Sequence, residues 1–211
     1  MIEHVYRRAT AASLVHATLV ATDDARIARA VEGFGGLAIM TRPDHVSGTD
    51  RIAEVVAQLP CRLVVNVQGD EPLIAPETID AAVAPLLADA TLEMGTLCRP
   101  IDATELNLSS VVKVVTDLAG RALYFSRSPL VGSAAHIGLY VYRRDVLLKL
   151  AALPAAPLES LESLEQLRAL SHGIGIQVVP ITHTSAGVDT PADLERVRQL
   201  LAPHEGVPSV M

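Results

Sequence analysis

The 211-residue sequence contains no tryptophan, and aromatic residues make up only 3% of it. Half of its residues are nevertheless apolar, so any core must be built mainly from Ala, Val, Leu and Ile. Side chains of this kind suit helices packed on a parallel sheet. Because no internal repeat or low-complexity tract divides the chain, we predict a single domain over residues 1–202 and a flexible tail at 203–211.

Long apolar runs, basic residues and cysteines are also scarce. No stretch reaches the roughly 18–20 apolar residues of a membrane-spanning helix, so we expect no membrane partner. A formal charge of -7 opposes nonspecific attraction to nucleic acid. The two cysteines, Cys61 and Cys98, lack metal-ligand spacing, which favours free buried thiols in a reducing cytoplasm. We therefore expect a cytoplasmic protein that binds small molecules.

The first part of the chain alternates between short apolar strands and amphipathic helices. A helix is predicted over 3–12, with no strand signal before it. The predicted strands are 18–21, 37–40 and 63–67, and the helices that follow them lie near 24–34, 50–59 and 77–87. This alternation predicts parallel strands joined by right-handed crossovers.

The pattern changes in the middle of the chain. Three β-prone runs separated by short turns, at 111–116, 122–125 and 138–142, predict an antiparallel section. The later elements are predicted to be helices at 144–152 and 160–171, a strand at 177–181 and a helix at 192–201. The predicted fold class is therefore α/β, with a mixed sheet flanked by helices and an antiparallel insertion.

The predicted strand at 63–67 runs into a polar turn that contains Gln68 and Asp70. In open α/β sheets, ligands bind at the carboxyl ends of strands, so a site is expected here. The alternative for this segment alone is a polar turn that only caps the next helix.

A second carboxylate, Asp189, stands between a predicted strand and the last helix. The neighbouring Thr190 and Pro191 are also ordinary helix-start residues, so a structural role is the alternative here. Two carboxylates on separate loops at one sheet edge would suit Mg²⁺, which usually takes one or two carboxylates plus phosphate and water oxygens.

A third candidate segment is the small, polar turn that contains Ser47, Gly48, Thr49 and Arg51. It stands at a predicted helix start, where backbone N–H groups and the helix dipole favour polar or anionic groups. An ordinary capped helix start is the alternative.

These segments occur, together with others, in the order found in one enzyme family. The matching runs are 40–45, 47–51, 66–72, 112–115, 122–129, 136–140, 164–168 and 187–191. As an ordered set they resemble the CMP-KDO synthetases, the 3-deoxy-manno-octulosonate cytidylyltransferases. The resemblance covers residues 1–201.

The resemblance implies a Rossmann-like nucleotidyltransferase fold and transfer of CMP from CTP to KDO, an eight-carbon acid sugar used in lipopolysaccharide synthesis. It implies that Asp70 and Asp189 bind Mg²⁺, and that Gln68 lies where the base and the sugar approach each other. The cytidine pocket would be lined by Ser47, Gly48, Thr49 and Arg51. The family is commonly dimeric, so the resemblance also implies a possible homodimer.

A further set of residues matches the family's sugar site. The residues that the resemblance places around KDO are Arg127, His136, Tyr140, Glu162, Glu165 and Gln166. Arg127 would meet the sugar carboxylate or a phosphate, and the alternative is an arginine that extends from a strand end into solvent. For Glu165 the alternative is a solvated helix face.

Two segments depart from the family pattern. Family members begin with a strand and a basic loop that holds the CTP phosphates, whereas residues 1–9 match the helix after that loop, and Met1 matches an internal position. A second deletion falls between Pro129 and His136. Because the first strand would be central, we expect two unpaired strand edges and an essentially inactive chain. The alternatives are a cytidylyltransferase for a related acid sugar, such as 8-amino-KDO or sialic acid, and a non-catalytic remnant.

Overall fold

The computed structural model describes residues 1–182, 187–188 and 190–202. The elements, in chain order, are α1 (Ile2–Ala11), β1 (Val20–Thr22), α2 (Ala25–Gly33), β2 (Ala38–Met40), α3 (Gly48–Val56), β3 (Leu63–Asn66), α4 (Pro76–Ala88), β4 (Met94–Arg99), β5 (Lys113–Thr116), β6 (Ala122–Ser126), β7 (Ala134–Arg143), α5 (Arg144–Ala152), α6 (Pro157–Glu162), α7 (Gln166–Ser171), β8 (Ile176–Pro180) and α8 (Pro191–Leu201). The tail predicted at 203–211 falls outside the described residues. Within the described ranges, no helix combines the length and the apolar character needed to cross a membrane.

The larger sheet is organised around the long strand β7. Its strand order is β6-β5-β7-β4-β8, and β3 also pairs with β7. The start of β7 pairs with β5, and its end pairs with β3, from Tyr140 opposite Asn66 to Arg143 opposite Leu63. The β4 strand runs antiparallel to β7 and parallel to β8. The strand β7 therefore connects the carboxyl end of β3 with β4 and β5.

Side chains of β7 alternate between two hydrophobic clusters, one on each face of the sheet. Leu139 and Val141 pack with Ile79 and other residues of α4, while Tyr142 packs with residues of α3, α5 and α7. This alternation follows from the two-residue period of a strand. Each large apolar side chain that is fully buried contributes about 1.5–3 kcal/mol to stability. The face under α3 and α7 is the one that carries the candidate site.

One edge of β1 and one edge of β3 have no strand partner in the described part of the chain. The smaller sheet consists of β1 and β2, paired in parallel, and β3 pairs with β7 on one side only. The helix α3 packs against both β1 and β3, so the two open edges lie beneath the same helix. Val64 and Val65 are only half-buried, as expected for apolar residues beside an open edge.

The structure confirms the α/β class, the mixed sheet and the antiparallel middle section. The prediction of a parallel neighbour for the strand at 63–67 is wrong for the described residues, because β3 pairs only antiparallel with β7. The strand β4 was not predicted. Finally, the helix predicted over 160–171 is two helices, because Ser163 adopts a left-handed conformation with φ 53° that ends α6.

Both cysteines are free thiols. Cys98 is buried in the core, and burial raises its pKa, which keeps the thiol protonated and unreactive. Cys61 is only half-buried.

Candidate active site

The predicted cytidine segment forms the first turn of α3. Ser47 is the N-cap residue, with an extended backbone, and its hydroxyl accepts a 3.1 Å hydrogen bond from the Asp50 amide. Gly48 and Thr49 follow in the first turn, where Thr49 is buried. The free amides of such a turn attract polar or anionic ligands.

Arg51 joins α3 to the ends of both strands of the smaller sheet. Its guanidinium donates a 2.6 Å hydrogen bond to the Thr41 hydroxyl and forms a 3.2 Å ion pair with Asp23. The Arg51 side chain is therefore already committed to holding α3 beside β1 and β2.

A polar network connects α3 to the start of α7. The Ser47 hydroxyl donates a 2.7 Å hydrogen bond to the carboxylate of Glu165, and burial raises the pKa of Glu165. The Tyr142 hydroxyl, which is buried, interacts with the side chains of Thr49 and Asn66. Through these contacts α3, the end of β3 and α7 hold each other in position.

The carboxyl end of β3 carries Gln68 and Asp70. The Gln68 amide lies 3.4 Å from the Asn66 side chain, and the Asp70 carboxylate is half-buried with no hydrogen bond or ion pair to the described part of the chain. The Asp70 backbone carbonyl accepts a 2.8 Å hydrogen bond from the amide of Val188. This bond brings Val188 to Asp70, and the next residue, Asp189, lies outside the described residues. No cluster of three or more metal-ligating side chains occurs among the residues described.

A cavity of about 390 Å³ lies next to this edge of the sheet. Three of the predicted sugar residues, His136, Tyr140 and Gln166, line it. Glu71 and Arg99 also contribute to its wall. Its volume is within the usual range for small-molecule sites.

The imidazole of His136 is held in a largely apolar wall. Its Nε2 lies 2.9 Å from the Thr96 hydroxyl, and its ring makes edge contact with Phe125 at 5.0 Å between centroids. Burial lowers the pKa of His136 to about 3, so the ring is neutral near pH 7 and acts as a hydrogen-bonding group. Burial also raises the pKa of Tyr140, whose ring lies 5.5 Å from that of His136.

Two other predicted sugar residues interact mainly with the protein. The Glu162 carboxylate accepts hydrogen bonds from Ser126, from Tyr124 and from the Arg127 amide, at 2.8, 3.3 and 2.9 Å. The Arg127 guanidinium donates to the backbone carbonyls of Glu162 and Ser109, both at 3.1 Å. Neither residue lines the 390 Å³ cavity.

Lys113 fixes the loop beside the cavity. Its side chain is fully buried, and its ammonium donates to the carbonyls of Leu108, Val111 and Arg127 at 2.7, 2.8 and 2.7 Å. Val111 lines the cavity, so this cation positions part of its wall.

Comparison with known proteins agrees with this geometry. Residues 1–176 match the cytidylyltransferase family. A 3-deoxy-manno-octulosonate cytidylyltransferase of Geobacter sulfurreducens is 51% identical, over 95% of this chain and 88% of its own length. The corresponding protein of Syntrophotalea carbinolica is 53% identical, over 93% of this chain and 86% of its own length. The chain belongs to the 3-deoxy-manno-octulosonate cytidylyltransferase family.

Solved structures support the same assignment. A CMP:2-keto-3-deoxy-manno-octonic acid synthetase in complex with CTP superposes with a TM-score of 0.91 and 46% identity, covering 94% of this chain and 86% of that one. A 4-diphosphocytidyl-2C-methyl-D-erythritol synthase of Anaerococcus prevotii has a TM-score of 0.63 at 12% identity, covering 95% of this chain and 88% of that one. The second likeness shows only that the fold is shared.

Sequence reasoning did not single out Arg99 or Tyr142 as site residues. Arg99 is the last residue of β4, and the sequence pattern did not predict that strand. The position of Arg99 at the end of a strand could therefore not be inferred from the sequence. Tyr142 follows Tyr140 by two residues and lies on the same face of β7. The two-residue period of a strand could therefore have identified it as a neighbour of the site.

Proposed function

We propose that this chain transfers CMP from CTP to KDO and releases pyrophosphate, as a step in making lipopolysaccharide precursors. The observation that carries the proposal is the placement of three predicted sugar residues, His136, Tyr140 and Gln166, around one cavity beside the carboxyl end of β3. Membership of the family supports the choice of nucleotide and sugar. A cytoplasmic location and a homodimer are part of the same proposal.

Mg²⁺ is the metal that the proposed reaction uses, and the residues at the end of β3 fit it. The Asp70 carboxylate supplies hard oxygen ligands and makes no hydrogen bond or ion pair within the described ranges. We propose Asp70 as a ligand, together with Asp189, which adjoins Val188. When bound, the cation would neutralise charge on the triphosphate and favour ionisation of the attacking sugar hydroxyl.

The protein's own residues would position the two substrates. The first turn of α3, with Ser47, Gly48 and Thr49, offers amides and hydroxyls to the cytidine, and Arg51 keeps that turn in place. Gln68, at the carboxyl end of β3, would orient the base and the sugar. Neutral His136, Tyr140 and Gln166 would exchange hydrogen bonds with sugar hydroxyls, while the half-buried Glu165 accepts a hydrogen bond from Ser47. Such positioning is the main contribution a protein makes to nucleotidyl transfer.

The test is pyrophosphate release with CTP, Mg²⁺ and each of three acid sugars: KDO, 8-amino-KDO and sialic acid. We expect KDO to give the highest kcat/KM. UTP should be poorer than CTP, because groups that pair with the cytosine amino group are left unpaired by the uracil oxygen. The assay should include a version extended ahead of Met1 with a strand and basic loop. Equal turnover of CTP and UTP would reject CTP as the preferred nucleotide. A preference for sialic acid would reject KDO as the sugar.

A further inference from the structure

The charge distribution in the cavity wall is uneven. Among the described residues that line it, Arg99 is the one cationic side chain and Glu71 the one carboxylate. The two other ionisable side chains among the described lining residues are uncharged near pH 7, because burial lowers the pKa of His136 to about 3 and raises the pKa of Tyr140. Arg99 is therefore the cationic donor available to an anionic group that enters the cavity.

Arg99 is held firmly but is not saturated. Its guanidinium makes two hydrogen bonds to the Glu105 carboxylate, at 2.5 and 2.6 Å, and one to the Pro100 carbonyl at 3.1 Å. An arginine has five N–H donors, so the Nε–H and one Nη2–H have no acceptor in the part of the chain that the structure describes. A quarter of the side chain remains exposed. The pair with Glu105 fixes the guanidinium in advance, which lowers the entropy lost when a ligand binds.

We propose that Arg99 recognises the carboxylate of the acid sugar. This inference rests on the proposed function and identifies the group that distinguishes an acid sugar from a neutral one. A guanidinium suits the task, because its planar donors match a carboxylate.

Arg127, the other candidate, is less well placed for this role. Its guanidinium donates to the Glu162 and Ser109 carbonyls, and it does not line the cavity. Its backbone amide also donates to the Glu162 carboxylate.

The test compares the dissociation constants of KDO and of its methyl ester, which differ in the carboxylate charge. Calorimetric titration is carried out on the parent chain, on Arg99→Met with Glu105→Gln, and on Arg127→Met. The double variant removes the cation without leaving Glu105 unpaired. In the parent, the acid should bind about 10- to 100-fold more tightly than the ester, as expected for a charge-assisted hydrogen bond. The double variant should bind both with nearly equal affinity.

Arg127→Met should keep the parental preference for the acid, provided that circular dichroism shows it to be folded. Parental preference in the Arg99 and Glu105 double variant would overturn the proposal, as would a parent that binds acid and ester equally or binds no KDO. Pyrophosphate release with CTP is measured in parallel. Absence of turnover in the version extended ahead of Met1, with the acid preference intact, would reject the proposed reaction but not the assignment of Arg99.

Discussion

The Ser47 hydroxyl and the Glu165 carboxylate are 2.7 Å apart, although 118 positions separate them in the sequence. Their hydrogen bond joins the N-cap of α3, where the nucleotide is proposed to bind, to the start of α7, which borders the sugar cavity. This bond therefore links the two proposed substrate sites directly.

Glu165→Gln should stabilise the fold at neutral pH. Burial raises the pKa of Glu165, so the folded state binds the proton more tightly than the unfolded state. The native state is thus favoured at low pH, and this stabilisation is lost as pH rises from the ordinary pKa of a glutamate through the raised value. Glutamine keeps an acceptor for Ser47 and carries no charge, so its advantage in Tm should grow with pH above about pH 4.

Glu162→Gln is the matched control, for which we expect the opposite change in stability at neutral pH. The Arg127 amide, Ser126 and Tyr124 lower the pKa of Glu162, so its contribution is present above the ordinary pKa and is lost as pH falls through the lowered value. The glutamine variant should be less stable than the parent at neutral pH, with the difference vanishing in acid. Thermal melts from about pH 3 to pH 8 measure both, because the contribution of Glu162 is lost only below the ordinary pKa of a glutamate. The assignment fails if Glu165→Gln is destabilising at pH 8 or if the two variants change with pH in the same direction.

Asp70→Ala should abolish Mg²⁺-dependent turnover while leaving the fold intact. Its carboxylate makes no hydrogen bond or ion pair within the described ranges, so truncation leaves no buried partner unpaired. Loss of a metal ligand should lower kcat by about 10²-fold or more. Turnover is compared in whichever of the parent and extended versions is more active. The affinity for Mn²⁺ is measured for the same proteins in a separate binding experiment. Asp145→Ala, an exposed acid in the first turn of α5, is the control and should retain full activity. Parental turnover by Asp70→Ala would contradict the metal role.

Lys113→Met should destabilise the protein strongly. The substitution leaves the carbonyls of Leu108, Val111 and Arg127 buried without their donor, at about 1–3 kcal/mol for each unsatisfied group. For a chain of this size, a loss of about 3 kcal/mol lowers Tm by roughly 6–12 °C. Lys149→Met, on the exposed face of α5, should leave Tm within a degree or two of the parent. Equal melting temperatures for the two variants would show that the Lys113 contacts add little.

Local sequence signals predicted much of the fold, and the exceptions have physical causes. The apolar run before Gln68 and Asp70 identified β3 and its polar end correctly. The β4 segment contains Met94, Gly95 and Cys98, which have little strand preference, so only its burial between β7 and β8 makes it a strand. The break between α6 and α7 depends on a left-handed backbone conformation at Ser163, which a serine in the sequence does not indicate.

The parts of the candidate site that lie within sequence motifs were predictable. The parts that depend on how strands pair were not. His136, Tyr140 and Gln166 came from ordered runs that resemble a family, and the structure places them around one cavity. The contact between Thr96 and His136, in contrast, depends on the register of β4 against β7, which contains an irregularity between Thr96 and Leu97. Register over such a distance in sequence is set by the packed core rather than by local preference.

The open edges of β1 and β3 lead to a last prediction: a strand and an Arg/Lys-rich loop added ahead of Met1 should raise both stability and turnover. The two edges lie beneath α3, and the half-buried Val64 and Val65 would gain cover from a strand placed between them. Covering about four large apolar side chains, at about 1.5–3 kcal/mol each, would contribute on the order of 10 kcal/mol before the entropic cost of ordering the added residues. The position of Met1 suits such an extension, because Ile2 lies beside Gly69 at the carboxyl end of β3.

The loop should act on the reaction itself. Its cations would stabilise charge on the triphosphate, and removal of a comparable group typically costs about 10²-fold in rate. We therefore expect the extended version to release pyrophosphate from CTP and KDO faster than the 211-residue chain by orders of magnitude. A version with the same strand but with the loop cations replaced by Gln separates the two effects, since it should gain stability with little turnover. Family-like turnover by the unextended chain would contradict this prediction and would show that cations already present, such as Arg51 or Arg99, suffice for the triphosphate.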